Sequence, residues 1–407
     1  MSFIFAKKES IGKRYFKLVK NQLKVCDGSK YLLINKCNFK FSNENESAVE
    51  LNVNEQCNDT LILANTGKKE ITISFEKGKN SNKYQLEPVP AIYKLKPNEA
   101  HDFTLKMTPL CTSKINETLY VVAESKKEGI EKQKIQIEFS TKISDYIDSC
   151  DIDEREFLGL NEYKDMIWRG YCRGKPVIID YRTNEDHQLF EREVKVLESM
   201  RCPTICYFYG ACHLPHHECL VFDYYELGPL NKIISEREMP SEKIRAKICF
   251  DIVKALFYMH ENGGIHRDVR PENIYGISLE PSMEVNVKLA GFSKARTFSI
   301  QWKDKEEFSE ETGTSIYMSP ELLQHEKYDT KVDVFSFGIT MIQIINWKIY
   351  KSKELLMTAY EQEKEFGNDF LSSELKDIIE KCLEKEPNKR ATMGDIVQLF
   401  REYFSKK

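Results

Sequence analysis

Between Val49 and Thr141, apolar residues alternate with polar ones or gather in short β-branched runs: VELNV, DTLILAN, EITISFE, AIYKLKP, HDFTLKMTP, ETLYVVAES and KIQIEFS. Polar, turn-rich stretches (NTGKK, KGKNSN, KPNEA) separate them. A period of two broken this often predicts short strands of an all-β sandwich, not a parallel sheet, over residues 46–142. Residues 1–45 also read as strand-rich, through RYFKLV, QLKVCD and YLLINKCNFKF. They are either extra strands of that sandwich or a small separate β-domain.

The acidic stretch DYIDSCDIDERE lacks an apolar period, which predicts a linker over 143–155. Beyond it the texture changes to strands followed by long helical stretches. In SEKIRAKICFDIVKALFYMHENG, residues Ile244, Ile248, Ile252, Leu256 and Met259 recur every three or four positions, one apolar face of a helix. Ser241 is its expected N-cap and Gly263 its stop.

A length of 407 residues allows two to three domains, and 41% hydrophobic with 30% charged residues is ordinary for a globular chain. The net charge of −4 gives no electrostatic argument for nucleic acid or an anionic membrane as partner. No run of eighteen apolar residues predicts a membrane span, and the opening MSFIFAKKES lacks the apolar core of a secretory signal. The expected location is therefore cytoplasmic. The twelve scattered cysteines are expected as reduced thiols, and the sequons at Asn45, Asn58 and Asn116 as chance matches.

Residues 156 to about 404 resemble the protein kinase superfamily, because many separated motifs occur in the right order. FEREVKVL resembles the small-lobe helix, with Glu193 at its ion-pairing glutamate. LVFDYYELGPL resembles the hinge, with Phe222 at the gatekeeper position and Asp223 beside it. HRDVRPEN resembles the catalytic loop, GTSIYMSPELL the end of the activation segment, and DVFSFGI and CLEKEPNKR later helices of the large lobe. IWRGYCRGKPV and YFYGAC lean toward the tyrosine-kinase-like group. More weakly, LILANTGKKEITISFE resembles immunoglobulin-like and major-sperm-protein-like sandwiches, and residues 1–45 allow a pleckstrin-homology-like domain. The implied architecture is an N-terminal all-β sandwich followed by an α+β bilobal kinase fold over 156–407.

What the resemblance implies for chemistry is mixed. The glycine-rich phosphate loop is reduced to GLNEYK, keeping Gly159, with Asn161 and Lys164 in place of the other glycines. Aligning KPVIIDYR with the family's third strand puts Asp180 where a phosphate-binding lysine belongs. Facing Glu193 at ~4 Å, with an effective dielectric of about 20, such a like-charge pair would cost roughly 4 kcal/mol. Ile178 and Tyr275 add volume to the implied adenine slot. Of the two side chains implied to hold magnesium, Asn273 survives, while Gly291 replaces the aspartate of Asp-Phe-Gly.

Much of the framework is kept. Leu197, His266 and Phe292 match an apolar stack, Asp333 a buried aspartate under the catalytic loop, and Glu321 with Arg390 a large-lobe ion pair. The resemblance thus implies a pseudokinase acting as a signalling scaffold, with other kinases or signalling proteins as partners and no cofactor. The alternative is an active serine/threonine kinase using ATP and Mg. There Asp268 is the catalytic base, Arg270 and Asn273 support it, and Gly159, Lys164, Glu193 and Asp223 hold nucleotide. Lys164 stands where with-no-lysine kinases place their phosphate lysine.

Two further expectations concern side sites. Cys202, Cys206, Cys212, His213, His216, His217 and Cys219 offer soft ligands within eighteen residues, but also read as two strands of a hairpin. In the activation segment, Arg267 is implied to receive a phosphate on Thr297, Ser299, Ser309, Thr312 or Thr314.

Overall fold

The computed structural model describes residues 11–25, 31–40, 50–77, 82–125, 129–161, 164–182, 187–214, 217–297, 316–365 and 372–406. They fall into two compact units. The first comprises Met1–Lys175, Ile179–Thr183 and Gly210–Leu220; the second comprises Pro176–Ile178, Asn184–Tyr209 and Val221–Lys407.

The first unit begins with helix α1 (Ile11–Val19) and strands β1 (Lys24–Val25), β2 (Leu32–Ile34), β3 (Asn38–Lys40), β4 (Cys57–Asn65) and β5 (Ile71–Lys77). Strands β6 (Tyr84–Val89), β7 (Tyr93–Leu95), β8 (Glu99–Pro109), β9 (Lys114–Ser125) and β10 (Gly129–Ser140) complete a β-rich domain. They form two five-stranded sheets, β1-β2-β4-β8-β6 and β3-β10-β9-β5-β7. Alternate residues such as Leu61, Leu63, Phe103, Leu105, Val121, Ile135 and Ile137 are buried in one shared core. The opposite face of β4 and β8 is covered as well, where Val19 and Leu23 meet Ala64 and Ala100. Within the NTGKK turn, the buried Asn65 donates to Lys69 O (2.7 Å) and Leu95 O (2.9 Å) and accepts from Gly67 N–H (2.8 Å).

Residues 11–40 differ from their strand-rich reading. RYFKLV is helical, because Tyr15, Phe16, Val19 and Leu23 repeat every three or four residues and meet a flat sheet face. The short strands that follow join both sheets of the β-rich domain. VELNV contributes a single bridge, Leu51 to Thr141.

Five further strands form the sheet β11-β12-β13-β15-β14, most of it in the first unit. They are β11 (Ile152–Leu160), β12 (Met166–Cys172), β13 (Lys175–Arg182), β14 (Phe208–Leu214) and β15 (His217–Asp223). β11 starts inside the segment read as linker, and Tyr146 and Ile147 of that segment are buried.

The second unit is mainly helical. It holds α2 (His187–Ser199), α3 (Leu230–Glu236), α4 (Glu242–Glu261), α5 (Pro320–Leu323), α6 (Lys331–Asn346), α7 (Lys353–Glu365), α8 (Ser373–Cys382) and α9 (Met393–Ser405). Short strands β16 (Gly264–Ile265), β17 (Ile274–Gly276), β18 (Val287–Leu289) and β19 (Arg296–Thr297) frame its central loops, pairing β16 with β19 and β17 with β18. All five residues of the predicted α4 stripe are buried. Gly263 follows with φ +71°, a left-handed stop that glycine adopts without strain.

Candidate functional site

In the first unit, Asn161, Lys164 and Asp165 bond to one another between β11 and β12. Asn161 N–H donates to Asp165 O (2.9 Å), Lys164 N–H to Asn161 O (3.1 Å), and Asp165 N–H to Asn161 Oδ1 (2.9 Å). A phosphate-cradling loop needs such donors open toward the ligand. Here three are spent inside the turn. Gly159 has φ +131°, and a Cβ there would meet open space. Lys164 is exposed, with φ +65°.

Asp180 sits on β13 with a partner the sequence reading missed. Arg182 Nη1 donates to Asp180 Oδ2 at 2.8 Å and lies 3.4 Å from Asp165 Oδ2. Residues two apart on a strand share a face, so Arg182 was within reach of Asp180 from the start. The uncompensated charge expected at Asp180 is thus compensated by a guanidinium.

In the second unit, the catalytic-loop segment is suspended from α6. The buried Asp333 accepts from His266 N–H (2.8 Å) and Arg267 N–H (2.7 Å), and its Oδ2 lies 2.9 Å from His260 Nε2. Burial pushes the Asp333 carboxyl up, but His260, His266 and the loop amides outweigh it and hold it below the ordinary carboxylate value. His266 Nε2–H donates to Ala290 O (2.8 Å), while its Nδ1 accepts from Asp268 N–H (3.2 Å). That pair fixes a neutral imidazole, in keeping with burial lowering its pKa. The His266 and Phe292 rings are 5.1 Å apart, and α2, which carries the buried Leu197 and Glu193, packs against the turn holding Phe292.

Asp268 is enclosed by its own chain. Asn273 Nδ2 donates to Asp268 O and Oδ2, both at 2.8 Å. Lys294 Nζ lies 3.3 Å, and Arg270 Nε 3.5 Å, from Asp268 Oδ1. Gly291 adopts φ +77° and ψ +54°, and a Cβ on it would fall 2.5 Å from Asn273 Oδ1. The carboxamide of Asn273 therefore takes the space beside residue 291 while its amide nitrogen serves Asp268. Lys294 was not singled out from sequence. Its only signal was a basic residue three positions after the missing aspartate.

Around the implied adenine slot, Phe222 packs on Phe208 with rings 5.6 Å apart, and Tyr275 lies 6.4 Å from Tyr225. Asp223 N–H donates to Tyr207 O at 2.9 Å. Ile178 is half-buried on β13.

The side sites resolve differently. Cys206, Cys212 and Cys219 are buried within or beside strands, and among the described residues the cysteines of this stretch do not converge on a common ligand position. His213 instead pairs with Glu218 at 3.2 Å. His216 lies outside the described residues, as do Ser299, Ser309, Thr312 and Thr314. Arg267 Nε donates to Lys294 O (2.6 Å) and its Nη1 to Tyr328 Oη (2.9 Å).

A family model for the protein kinase domain matches residues 174–403, more than half of the chain. The chain is 28% identical over 369 residues to the probable serine/threonine-protein kinase gdt2 of Dictyostelium discoideum, covering 87% of this chain and 22% of that protein. It is 28% identical over 248 residues to the dual specificity protein kinase shkB of the same organism, covering 56% and 37%. To the serine/threonine-protein kinase VIK of Arabidopsis thaliana it is 26% identical over 264 residues, covering 61% and 59%. The chain thus spans less than two thirds of each relative. The gdt2 match reaches well outside residues 174–403 and takes in N-terminal strands.

Proposed function

The chain belongs to the protein kinase family, and from that premise we propose that its kinase domain is a pseudokinase of the tyrosine-kinase-like group. In this reading it serves as a cytosolic scaffold or allosteric regulator of other signalling proteins. The observation that carries the reading is the closed set of Gly291, Asn273 and Asp268. Magnesium needs several oxygen ligands in near-octahedral geometry. Residue 291 offers none, Asn273 is engaged with Asp268, and Asp268 is countered by Lys294 and Arg270. The residues present do not fit the metal. The internally bonded turn at Asn161–Asp165 and the Asp180–Arg182 pair support the same reading from the nucleotide side.

The β-rich domain, with two five-stranded sheets around one core, is read as a sandwich of the immunoglobulin-like or major-sperm-protein-like kind that presents a protein-binding surface. A fold of that class licenses binding, not chemistry.

A second reading, an active kinase transferring the ATP γ-phosphate to Ser or Thr through Asp268, is favoured by the exposed Lys164 and by the names of the relatives. Transfer of labelled phosphate from ATP to a generic protein substrate separates the two. The pseudokinase reading expects no incorporation above heat-denatured protein. Incorporation that is abolished by Asp268→Asn would establish the second reading.

A further inference from the structure

β14 lies at the edge of its five-stranded sheet, and an edge strand leaves unpaired backbone donors and acceptors for another segment to take. Residues 145–147 take them. Tyr146 and Ala211 form a parallel bridge, in which Ile147 N–H donates to Ala211 O and Ala211 N–H donates to Asp145 O, both at 2.8 Å. The Tyr146 ring stacks on His213, with centroids 4.8 Å apart and planes 10° from parallel. The approach is close enough to require glycine at 210. Its φ is +155°, and a Cβ there would clash with Asp145 O and fall 2.8 Å from Ile147 Cγ2.

The same few residues are gripped from the other side by the β-rich domain. Thr112 N–H donates to Tyr146 O (3.0 Å), and Thr112 Oγ1 accepts from Ser144 N–H (2.8 Å). Lys83 Nζ pairs with Asp148 Oδ2 at 2.9 Å. All of these groups belong to the first compact unit. A flexible tether would bury no ring and spend no backbone hydrogen bonds on two partners at once.

We propose that residues 144–148 are a coupling strap: the β-rich domain completes the edge of the small kinase sheet, and loosening the strap at Thr112 and Lys83 loosens β14. A binding event on that side of the β-rich domain is thereby transmitted to the kinase fold through a strand edge. The gdt2 match runs across both parts of the chain, as expected if the pairing is structural. The inference is independent of whether the domain transfers phosphate.

Amide hydrogen exchange of the full chain, read by mass spectrometry, tests it. In the unaltered protein, peptides covering 144–148 and 208–214 should be protected together. Thr112→Val removes an acceptor and strands the Ser144 N–H, and should speed exchange about tenfold in both peptides. Lys83→Met, a milder change at the half-buried pair, should shift both in the same direction. The inference is overturned if 144–148 exchanges like unstructured peptide in the unaltered protein. It is also overturned if either substitution speeds 144–148 and leaves 208–214 unchanged.

Discussion

Asn273 Oδ1 lies 2.5 Å from the place a Cβ on residue 291 would occupy, so a side chain at 291 and the present placement of Asn273 exclude each other in this backbone. Glycine supplies the left-handed turn at 291, and Asn273 fills the space beside it. Restoring the aspartate by Gly291→Asp should therefore not restore metal binding. It should instead destabilise the fold by about 1–3 kcal/mol, the usual cost of holding a non-glycine residue in a sparsely populated conformation. Urea unfolding monitored by circular dichroism measures the loss, and manganese binding by isothermal titration should stay undetectable.

Arg182 is expected to matter more for stability than a surface arginine, because its guanidinium serves Asp180 and Asp165 and all three side chains are largely buried. Arg182→Met removes the guanidinium that Asp180 and Asp165 share. The expected loss is about 3–5 kcal/mol, the range for breaking a buried pair. Asp180→Asn in the Arg182→Met background should recover part of it, and a double-mutant cycle by chemical denaturation reads the coupling.

The Glu321–Arg390 pair is a bidentate contact (2.6 and 3.1 Å) with both side chains buried. Burial pushes the Glu321 carboxyl up, but the Arg390 hydrogen bonds outweigh it and hold it below the ordinary value. Glu321→Gln should cost about 3–5 kcal/mol in urea unfolding at neutral pH, since Arg390 is left buried without its counter-charge.

Stability should fall with acid in two stages. Burial lowers the pKa of His266, so the unfolded chain takes up a proton first, and stability is lost as pH drops below about 6.5. Burial lowers that of His101 as well, adding a contribution of the same sign. Asp333 and Glu321, both held below ordinary carboxylate values, contribute stability that is present above about pH 5 and is lost as pH falls through their lowered pKa values. In His266→Phe, the slope of unfolding free energy between about pH 6.5 and pH 5 should be shallower, with the lower stage unchanged.

The sequence carried the framework well and the site unevenly, for physical reasons. Helix α4 was legible because five apolar residues at helical spacing all go inside, and the strands of the β-rich domain because alternation survives in a core shared by two sheets. Residues 11–19 read as strand only within the six residues RYFKLV; the helical spacing of Tyr15, Phe16, Val19 and Leu23, which meet a sheet face, shows over a longer window. Residues 144–148 were misread because their hydrogen bonds go to Ala211, about 65 positions later, and to Thr112, about 32 positions earlier, which no local period reports. At the candidate site, Asp180 and Gly291 stood out in the sequence, but Arg182 beside Asp180 and Asn273 beside residue 291 depend on side-chain direction.

The central claim, that this kinase fold does not hold a magnesium nucleotide, is tested most directly by thermal unfolding of the purified chain with millimolar ATP, with and without magnesium or manganese. A nucleotide present at a hundred times its Kd would add about 2.7 kcal/mol to stability. For a domain of this size that is a rise in Tm of about 5–10 °C. The Tm is expected to be the same without nucleotide, with ATP alone, and with ATP plus either metal. A metal-dependent rise of several degrees would contradict it.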